Sequence, residues 1–320
     1  DLFMMNKYTR NLFKKVASVA LAGTMTLSMV MPVAAANGDP NLVVTPDTQY
    51  STPIAANSEV TLGLMPANSY YQRTGFDSET DAANGLKVSK INLGADKISS
   101  VFTYGSKTVD NLFAGTVTVK GNSDVYGPAS LHIVNTNNTS AGIDMTVYVE
   151  ATEDVADAEG VKVEVSDLHA DTYMYELGED LTVAKAKGNS DNPFSDAAEA
   201  TDSSGCAQTY PTAGDALYSL MAKGNISFTQ SGGYVYTIAD TYDHELSGYS
   251  NEDYTEYYGW YYCVIHGKGS NAEMVEGSDI VSASVLPVED NDAVIWAFGT
   301  EKEANDYFAD VLVMRQNGTY

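Results

Sequence analysis

The sequence predicts a mainly β protein with one short helix, built as an N-terminal β-sandwich followed by an α+β domain. Short runs of alternating apolar and polar residues, separated by turn residues, fill the first half of the chain. The second half has fewer such runs around a single helical pattern. A length of 320 residues also favours two domains, and a hydrophobic content of 44% with 22 tyrosines is too apolar for a disordered chain.

Residues 1–36 have the pattern of a secretory signal peptide. A basic segment precedes a mostly apolar run at 16–33, and three alanines at 34–36 supply the cleavage site. The basic residues are Lys7, Arg10, Lys14 and Lys15. We therefore expect a secreted protein, extracellular or held noncovalently at the cell surface, with no membrane insertion once the signal is removed.

The chain beyond the predicted signal is strongly acidic. Its 284 residues contain 13 Lys and Arg against 42 Asp and Glu, which is a formal charge of −29. Phosphate binding requires clustered basic residues, so this balance disfavours nucleic acid as a partner. Anionic membrane surfaces are disfavoured for the same reason. Acidity of this degree contributes solubility outside the cell.

Residues 41–152 are predicted to form the β-sandwich. Val117 and Val119 alternate with polar neighbours, which is the period of a half-buried strand. Six or seven short strands in a stretch of this length are typical of a sandwich. An acidic segment at 152–160 is the predicted domain boundary. The predicted strands cover 58–65, 86–94, 98–105, 115–121, 130–136 and 143–151.

The predicted helix lies in the second domain, at 160–320. Thr212 and Asp215 form a capping-box-like pair at its start, and Gly224 ends it. Its apolar stripe contains Ala213, Ala216, Leu217, Leu220 and Met221. Strands are predicted at 161–167, 233–239, 259–265 and 290–299, with a last strand within 306–316 from the apolar run at 311–314.

The order of motifs in this half resembles the transcobalamin-like C-terminal domain of many secreted bacterial proteins. The matching motifs are the T-x-x-D-A-L helix start at 212–217, Gly233-Tyr234, the Gly-Trp-x-Tyr strand at 259–262 and Val-Ile-Trp at 294–296. The resemblance covers residues 161–300 and implies a β-grasp-like α+β fold, with a helix across a small mixed sheet. In animal transcobalamins the related domain closes over cobalamin, so the resemblance implies a corrinoid as one ligand.

Long insertions distinguish this chain from that family. They lie at 187–205, 242–257 and 266–289, the last in place of a tight hairpin turn. Loops on a rigid scaffold commonly carry binding function. The loop at 249–260 has four tyrosines and three acids, a composition typical of adaptable contact surfaces. The alternative is a solvated loop whose rings fold back on the sheet.

Aromatic residues cluster on the predicted strand at 259–265. Because successive strand residues face opposite sides, Trp260 and Tyr262 share one face, and Tyr261 and Cys263 share the other. A face covered by the helix would be core, whereas an open face would give an aromatic platform for a flat ligand or a sugar ring. The candidate ligand-binding residues are Tyr234, Tyr236, Tyr257, Tyr258, Trp260, Tyr262 and Trp296.

Cys206 and Cys263 are candidates for a disulfide, because an even pair of cysteines in an exported protein is commonly bonded. A free thiol at both positions is the alternative. Catalysis by Cys263 is disfavoured, since His266 would lie on the opposite strand face and the acidic chain would oppose a thiolate.

The sequence contains no recognised catalytic or metal-binding motif. No H-E-x-x-H, C-x-x-C, G-x-S-x-G or phosphate-loop pattern occurs. Clustered acids could coordinate Ca²⁺, although no D-x-D-x-D-G loop is present. These acids are Asp240, Asp243, Glu245, Glu252 and Asp253. We expect no catalytic residues, no dedicated metal site and no bound cofactor.

These observations predict a secreted non-catalytic binding protein rather than an enzyme. Its aromatic sheet face and Tyr-rich acidic loops would contact a small molecule or a glycan, with a corrinoid implied by the resemblance alone. The alternative is a structural or adhesive cell-surface protein that binds a polymer or a protein partner. A small ligand of the native state would raise the melting temperature by mass action, which separates the two hypotheses.

Overall fold

A computed structural model of the chain describes most residues from 38 onward. The described residues are 38–45, 54–55, 57–94, 97–122, 125–151, 153, 155–170, 180–195, 209–231, 233–242, 244–278 and 281–320. The predicted signal segment, Cys206, Asp243 and part of the predicted loop at 187–205 lie outside them. Within the described part the protein is mainly β, as the sequence predicts, and has no helix that is long and apolar enough to cross a membrane.

The described residues divide into two compact units, the first ending at residue 152 and the second beginning at Glu153. The first unit contains one short helix, α1 (Glu79–Asn84). Its strands are β1 (Asn41–Thr45), β2 (Glu59–Ala67), β3 (Leu86–Leu93), β4 (Ile98–Val109), β5 (Leu112–Gly121), β6 (Gly127–Asn135) and β7 (Asn138–Val149).

Two antiparallel sheets make up the first unit. One sheet has the order β1-β2-β5-β4 and the other has the order β3-β6-β7. Both sheets contribute to one apolar core, with Leu62 and Val117 from the first and Leu131 and Met145 from the second. Apolar side chains from the facing sides of the two sheets pack together in this core. The prediction of an N-terminal β-sandwich is confirmed.

The second unit contains two further helices, α2 (Ala213–Ala222) and α3 (Glu301–Gln316). The described part of the chain therefore has three α-helices, where the sequence predicts one. The strands of this unit are β8 (Ala158–Asp167), β9 (Asp180–Val183), β10 (Ile226–Ser231), β11 (Tyr234–Asp240), β12 (Glu245–Ser247), β13 (Tyr249–Ser250), β14 (Tyr257–His266), β15 (Glu273–Met274) and β16 (Ala293–Gly299).

The main sheet of the second unit is mixed, with the order β13-β14-β16-β8-β9. β8 and β16 form a central parallel pair, and each has an antiparallel neighbour, β9 and β14 respectively. Helix α2 follows β9 along the chain, which gives the strand order of a β-grasp sheet. A separate antiparallel sheet, β10-β11-β12, is inserted between α2 and β13.

Helix α2 begins where the sequence predicts. The Asp215 amide donates to the Thr212 hydroxyl, and the Asp215 carboxylate accepts from the Thr212 amide, so the capping box is confirmed. The predicted stripe is buried at Ala213, Ala216, Leu217 and Leu220. Helix α2 contacts β8, β9 and β10, so its apolar stripe joins the core of the second unit.

The predicted last strand at 306–316 is wrong, because these residues lie within helix α3. Thr300 and Glu303 form a second capping box at its start. Ala304, Phe308 and Val311 follow at helical spacing and are buried. A run of four apolar residues does not separate a strand from a helix, so the capping signal was the decisive one.

Candidate functional site

The predicted open aromatic face of the main sheet is closed by the protein's own chain, which corrects the prediction. Trp260 and Trp296 are only 4% and 2% exposed. The Trp260 indole N–H donates to the carbonyl of Leu246 in β12 at 2.9 Å. Tyr262 stacks on Trp296, with ring centroids 5.2 Å apart, and donates its hydroxyl to the carbonyl of Val281.

The closure has a physical cause in the long insertion at 266–289. This segment carries apolar residues that are buried in the structure, at Val281, Val285, Leu286 and Val288. Burying them stabilises the fold more than projecting the segment into water would. The insertion therefore covers the sheet instead of forming an exposed loop over its whole length.

The opposite face of the main sheet is covered by helix α3. Cys263, Ile265 and Ile295 pack with Phe308 and Val311 in one apolar cluster. Burial and the nearby Glu164 carboxylate raise the pKa of the Cys263 thiol well above its ordinary value. Cys263 is a free cysteine in the structure, so its predicted disulfide with Cys206, which lies outside the described residues, is not supported.

Glu164 anchors helix α3 from within this face. Its carboxylate is buried and accepts hydrogen bonds from the hydroxyls of Ser166, Tyr307 and Tyr320. Burial and the Glu164 carboxylate raise the pKa of the Tyr320 hydroxyl. A buried carboxylate with three hydroxyl donors is fully engaged, so it fixes the position of α3 and is not a candidate ligand site.

Three of the predicted tyrosines meet beside the inserted sheet. The hydroxyls of Tyr234 and Tyr257 are 3.2 Å apart, and the rings of Tyr234 and Tyr236 meet edge to face at 4.9 Å. Burial raises the pKa of Tyr234 well above its ordinary value and also raises that of Tyr257. Tyr236 is 37% exposed, so it is the member of this group that is most open to a ligand.

Two aromatic residues pair at the β13–β14 edge of the main sheet. Tyr249 and Tyr258 are directly opposite each other in the strand pair, and their rings stack at 4.9 Å with only 8° between the ring planes. Such cross-strand pairs stabilise a two-stranded ladder. Tyr249 is 51% exposed. A hydrogen bond to Glu256 raises the pKa of the Tyr258 hydroxyl.

A tight turn joins β13 to β14 and is organised by the side chain of Asn251. The Asn251 Oδ1 accepts from the Glu256 amide, and its Nδ2 donates to the Thr255 hydroxyl. The backbone closes the turn through Tyr254 N–H to the Asn251 carbonyl at 3.1 Å. The backbone of Tyr254 adopts the left-handed conformation, with φ of 59°, and 57% of the residue's surface is exposed. We call this segment, 251–256, the Asn251 turn.

The Asn251 turn is acidic. Its three carboxylates belong to Glu252, Asp253 and Glu256, and all three residues are exposed. Within the described part of the chain, no basic side chain forms an ion pair with any of them. Among the described residues, the Asp253 carboxylate accepts hydrogen bonds from Thr255 and the Glu256 carboxylate accepts one from Tyr258. Their negative charge is therefore available to a partner.

The first unit has a related turn, one residue shorter, that sequence analysis missed. The Asn68 Oδ1 accepts from the amides of Tyr70 and Gln72, and Tyr71 N–H donates to the Asn68 carbonyl. Tyr71 is left-handed, with φ of 60°. Tyr70 is 79% exposed and Tyr71 is 43% exposed. We call this segment, 68–72, the Asn68 turn.

A shared sequence signal marks both turns. Asn68 precedes Tyr71 by three residues, and Asn251 precedes Tyr254 by the same interval. Asparagine favours such turns because its short amide side chain bonds to the backbone a few residues on. The pattern N-x-x-Y finds both turns, but it also matches Asn317–Tyr320 at the end of helix α3, so it does not identify such turns on its own.

The residues proposed for calcium do not form a metal site in the described part of the chain. No group of three or more His, Cys, Asp or Glu residues has a suitable arrangement there. Asp240 instead accepts hydrogen bonds from the amides of Tyr242 and His244, which closes a turn. Asp243 lies outside the described residues.

Comparison with known proteins does not identify a family. No family model matches the chain, and no curated protein matches it. Among solved structures, the chain is similar to the Escherichia coli adhesin FdeC at 13% identity and a TM-score of 0.25, over 42% of this chain and only 38% of that one. It is also similar to domains 6–7 of the surface layer protein SbsC at 12% identity and a TM-score of 0.23, over 82% and 94%. Scores this low support no conclusion about fold or function.

Proposed function

We propose that this chain is a non-catalytic protein of the cell exterior that binds a protein or polymer partner through exposed tyrosines on rigid turns. The single observation that carries the proposal is the Asn251 turn, with Tyr254 held in a strained conformation beside the stacked pair Tyr249 and Tyr258. The signal-like sequence at 1–36 supports export.

The strain at Tyr254 favours a binding role for the turn. A left-handed non-glycine residue costs about 1–3 kcal/mol, and such residues cluster at functional sites. Glycine or asparagine would make the same turn at lower cost. A tyrosine gives area and a hydroxyl with little side-chain entropy to lose, and the side-chain bonds of Asn251 order the turn before a partner arrives.

The transcobalamin-like identity of residues 161–300 is also a proposal, and the strand order β9-β8-β16-β14 supports it. A corrinoid, the ligand implied by that resemblance, would have to bind away from the closed face that carries Trp260 and Trp296. The exposed aromatic residues of this unit that remain open to it include Tyr236, Tyr242 and Tyr254. Titration with cobalamin, monitored by its visible absorbance, tests the corrinoid hypothesis directly.

Capture on surfaces tests the main proposal. Fluorescently labelled chain would be incubated with intact bacterial cells and with purified cell-wall polymer. A variant with Tyr249→Ser and Tyr254→Asn removes both exposed rings, and asparagine tolerates the left-handed conformation. We expect capture to weaken about fivefold, the scale of about 1 kcal/mol.

Tyr242→Ser is the matched control, because Tyr242 is 88% exposed and lies outside the turn. It should leave capture unchanged. A chain that is captured by neither surface would overturn the proposed function. Equal capture of the wild-type and double-variant chains would assign binding to another surface.

A further inference from the structure

We infer that the partner at the Asn251 turn is a polypeptide segment rich in arginine or lysine, an inference that rests on the proposed function. The surface consists of exposed aromatic rings bordered by carboxylates that have no basic partner in the described part of the chain. We call it the tyrosine–acid surface, and its residues are Tyr249, Glu252, Asp253, Tyr254, Glu256 and Tyr258.

The aromatic half of this surface suits a cation. The π face of a tyrosine ring carries negative potential and attracts a guanidinium or ammonium group placed over it. Tyr249 is stacked on Tyr258 with nearly parallel rings, which fixes its orientation, and about half of its surface remains open. Tyr254 adds a second exposed ring on the adjoining turn.

The carboxylates of this surface attract a positively charged partner. Glu252, Asp253 and Glu256 place three negative charges within one six-residue turn, without a basic partner in the described part of the chain. The whole chain contains 43 acidic and 17 basic residues. Its negative electrostatic potential therefore attracts cationic partners from a distance. A guanidinium group can engage a carboxylate and a ring together.

The same surface does not suit a metal ion. Calcium takes six to eight oxygen ligands, which a site must supply from converging groups. Here Asp253 and Glu256 each accept from a neighbouring hydroxyl, and no described group of residues has a metal-site arrangement. Each exposed contact is individually weak, so useful affinity requires a segment that carries several cations.

The inference is tested with the full chain and a short arginine-rich peptide carrying a fluorophore. The citrulline version of the peptide keeps the shape and removes the charge. Binding is measured by fluorescence anisotropy at low and at physiological salt. We expect the arginine peptide to bind more tightly than the citrulline peptide by about tenfold at low salt, with the difference shrinking as salt screens the charges.

Two variants separate the roles of ring and charge. Tyr249→Leu keeps an apolar side chain without a π face, and should weaken arginine-peptide binding about threefold. Glu252→Gln with Asp253→Asn removes two charges from the turn, and should weaken binding about fivefold or more. The matched control for charge is Glu276→Gln with Asp310→Asn, two exposed acids of the same unit that are outside the surface.

The control should change binding by less than twofold. An equal loss of peptide binding in the control variant would mean that binding depends on net charge alone, and would overturn the inference. Equal binding of the citrulline peptide would overturn it as well. If neither peptide binds while Tyr249→Ser with Tyr254→Asn still lowers capture on cells, the cationic partner is excluded and the proposed function stands.

Discussion

The Asn68 turn and the Asn251 turn share two backbone features in different surroundings. In both turns an asparagine closes the chain on itself, and the tyrosine three residues later is left-handed. Next to the Asn68 turn, Arg73 forms an ion pair with Asp110 at 3.0 Å. The Asn251 turn carries three acids and no such pair in the described part of the chain. The backbone therefore sets how a ring is presented, and the neighbouring charges set which partner it suits.

The largest expected difference between the two units concerns pH. Asp215 is fully buried in the second unit, and this burial raises its pKa from 3.8 to about 7, against the opposing hydrogen bonds from Thr212 and Asn192. A carboxyl group with a raised folded-state pKa favours the folded state most when it is protonated. The contribution of Asp215 to the stability of the second unit should therefore be greatest below about pH 4, and up to about 4 kcal/mol of it should be lost as pH rises through about 7.

Tryptophan fluorescence measures this loss selectively. Both tryptophans of the chain, Trp260 and Trp296, lie in the core of the second unit. Urea unfolding would be followed at intervals from pH 4 to pH 8, and Asp215→Asn should flatten the dependence. A free energy of unfolding that stays constant or rises over this range in the wild-type chain would contradict the assignment to Asp215.

Removing the asparagine side chains should destabilise the two turns unequally. Asn68 Oδ1 accepts two backbone amides and its Nδ2 donates to Gln72, whereas Asn251 Oδ1 accepts one amide and its Nδ2 donates to Thr255. At about 0.5–1.5 kcal/mol for each hydrogen bond, Asn68→Ala should cost about 2 kcal/mol and Asn251→Ala about 1 kcal/mol.

Hydrogen exchange measured by mass spectrometry shows in which unit each substitution lowers the stability. Asn68→Asp is the control, because it keeps the oxygen that accepts both amides and removes only the Nδ2 donor. It should retain most of the stability lost in Asn68→Ala. A larger loss for Asn251→Ala than for Asn68→Ala would show that the count of side-chain bonds does not set the strength of these turns.

Relieving the strain should stabilise both turns by similar, smaller amounts. Tyr71→Gly and Tyr254→Gly each replace a left-handed tyrosine with the residue that adopts this conformation freely. We expect a gain of about 0.5–1 kcal/mol in each unit, after the entropy that glycine loses on folding. The same substitutions should weaken partner capture. Greater stability together with weaker capture would indicate strain that is retained for binding, whereas lower stability would show that the rings contribute to packing.

Much of the architecture could be predicted from the sequence, because it depends on local signals. Alternation at Val117 and Val119 identifies a sandwich strand, and Thr212 with Asp215 identifies the start of a helix. Helix α3 was missed at this level although Thr300 and Glu303 carry the same capping signal, because the run from Val311 was given more weight.

The candidate surface was harder to predict, because burial depends on contacts between distant segments. Trp260 and Trp296 are of a residue type common at binding faces. In the structure, however, Leu246 and Val281, which are distant in sequence, cover this face of the main sheet. Tyr258 was predicted to lie in the loop at 249–260, whereas it lies in strand β14, and its pairing with Tyr249 became apparent only from the β13–β14 register. Left-handed tyrosines are rare, so no residue preference predicts Tyr71 or Tyr254.

The smallest expected effect concerns the charge that distinguishes the two turns. Arg73 and Asp110 are both partly exposed, so their ion pair contributes at most about 0.5 kcal/mol to stability, and Arg73→Gln should leave the free energy of unfolding almost unchanged. The substitution leaves Asp110 without its cation and makes the surroundings of Tyr70 more acidic. Arginine-peptide binding should then rise by less than about twofold at low salt, and the rise should vanish when Tyr70→Ser is added. A gain that survives Tyr70→Ser would mean that net charge, and not the tyrosine turn, governs the response.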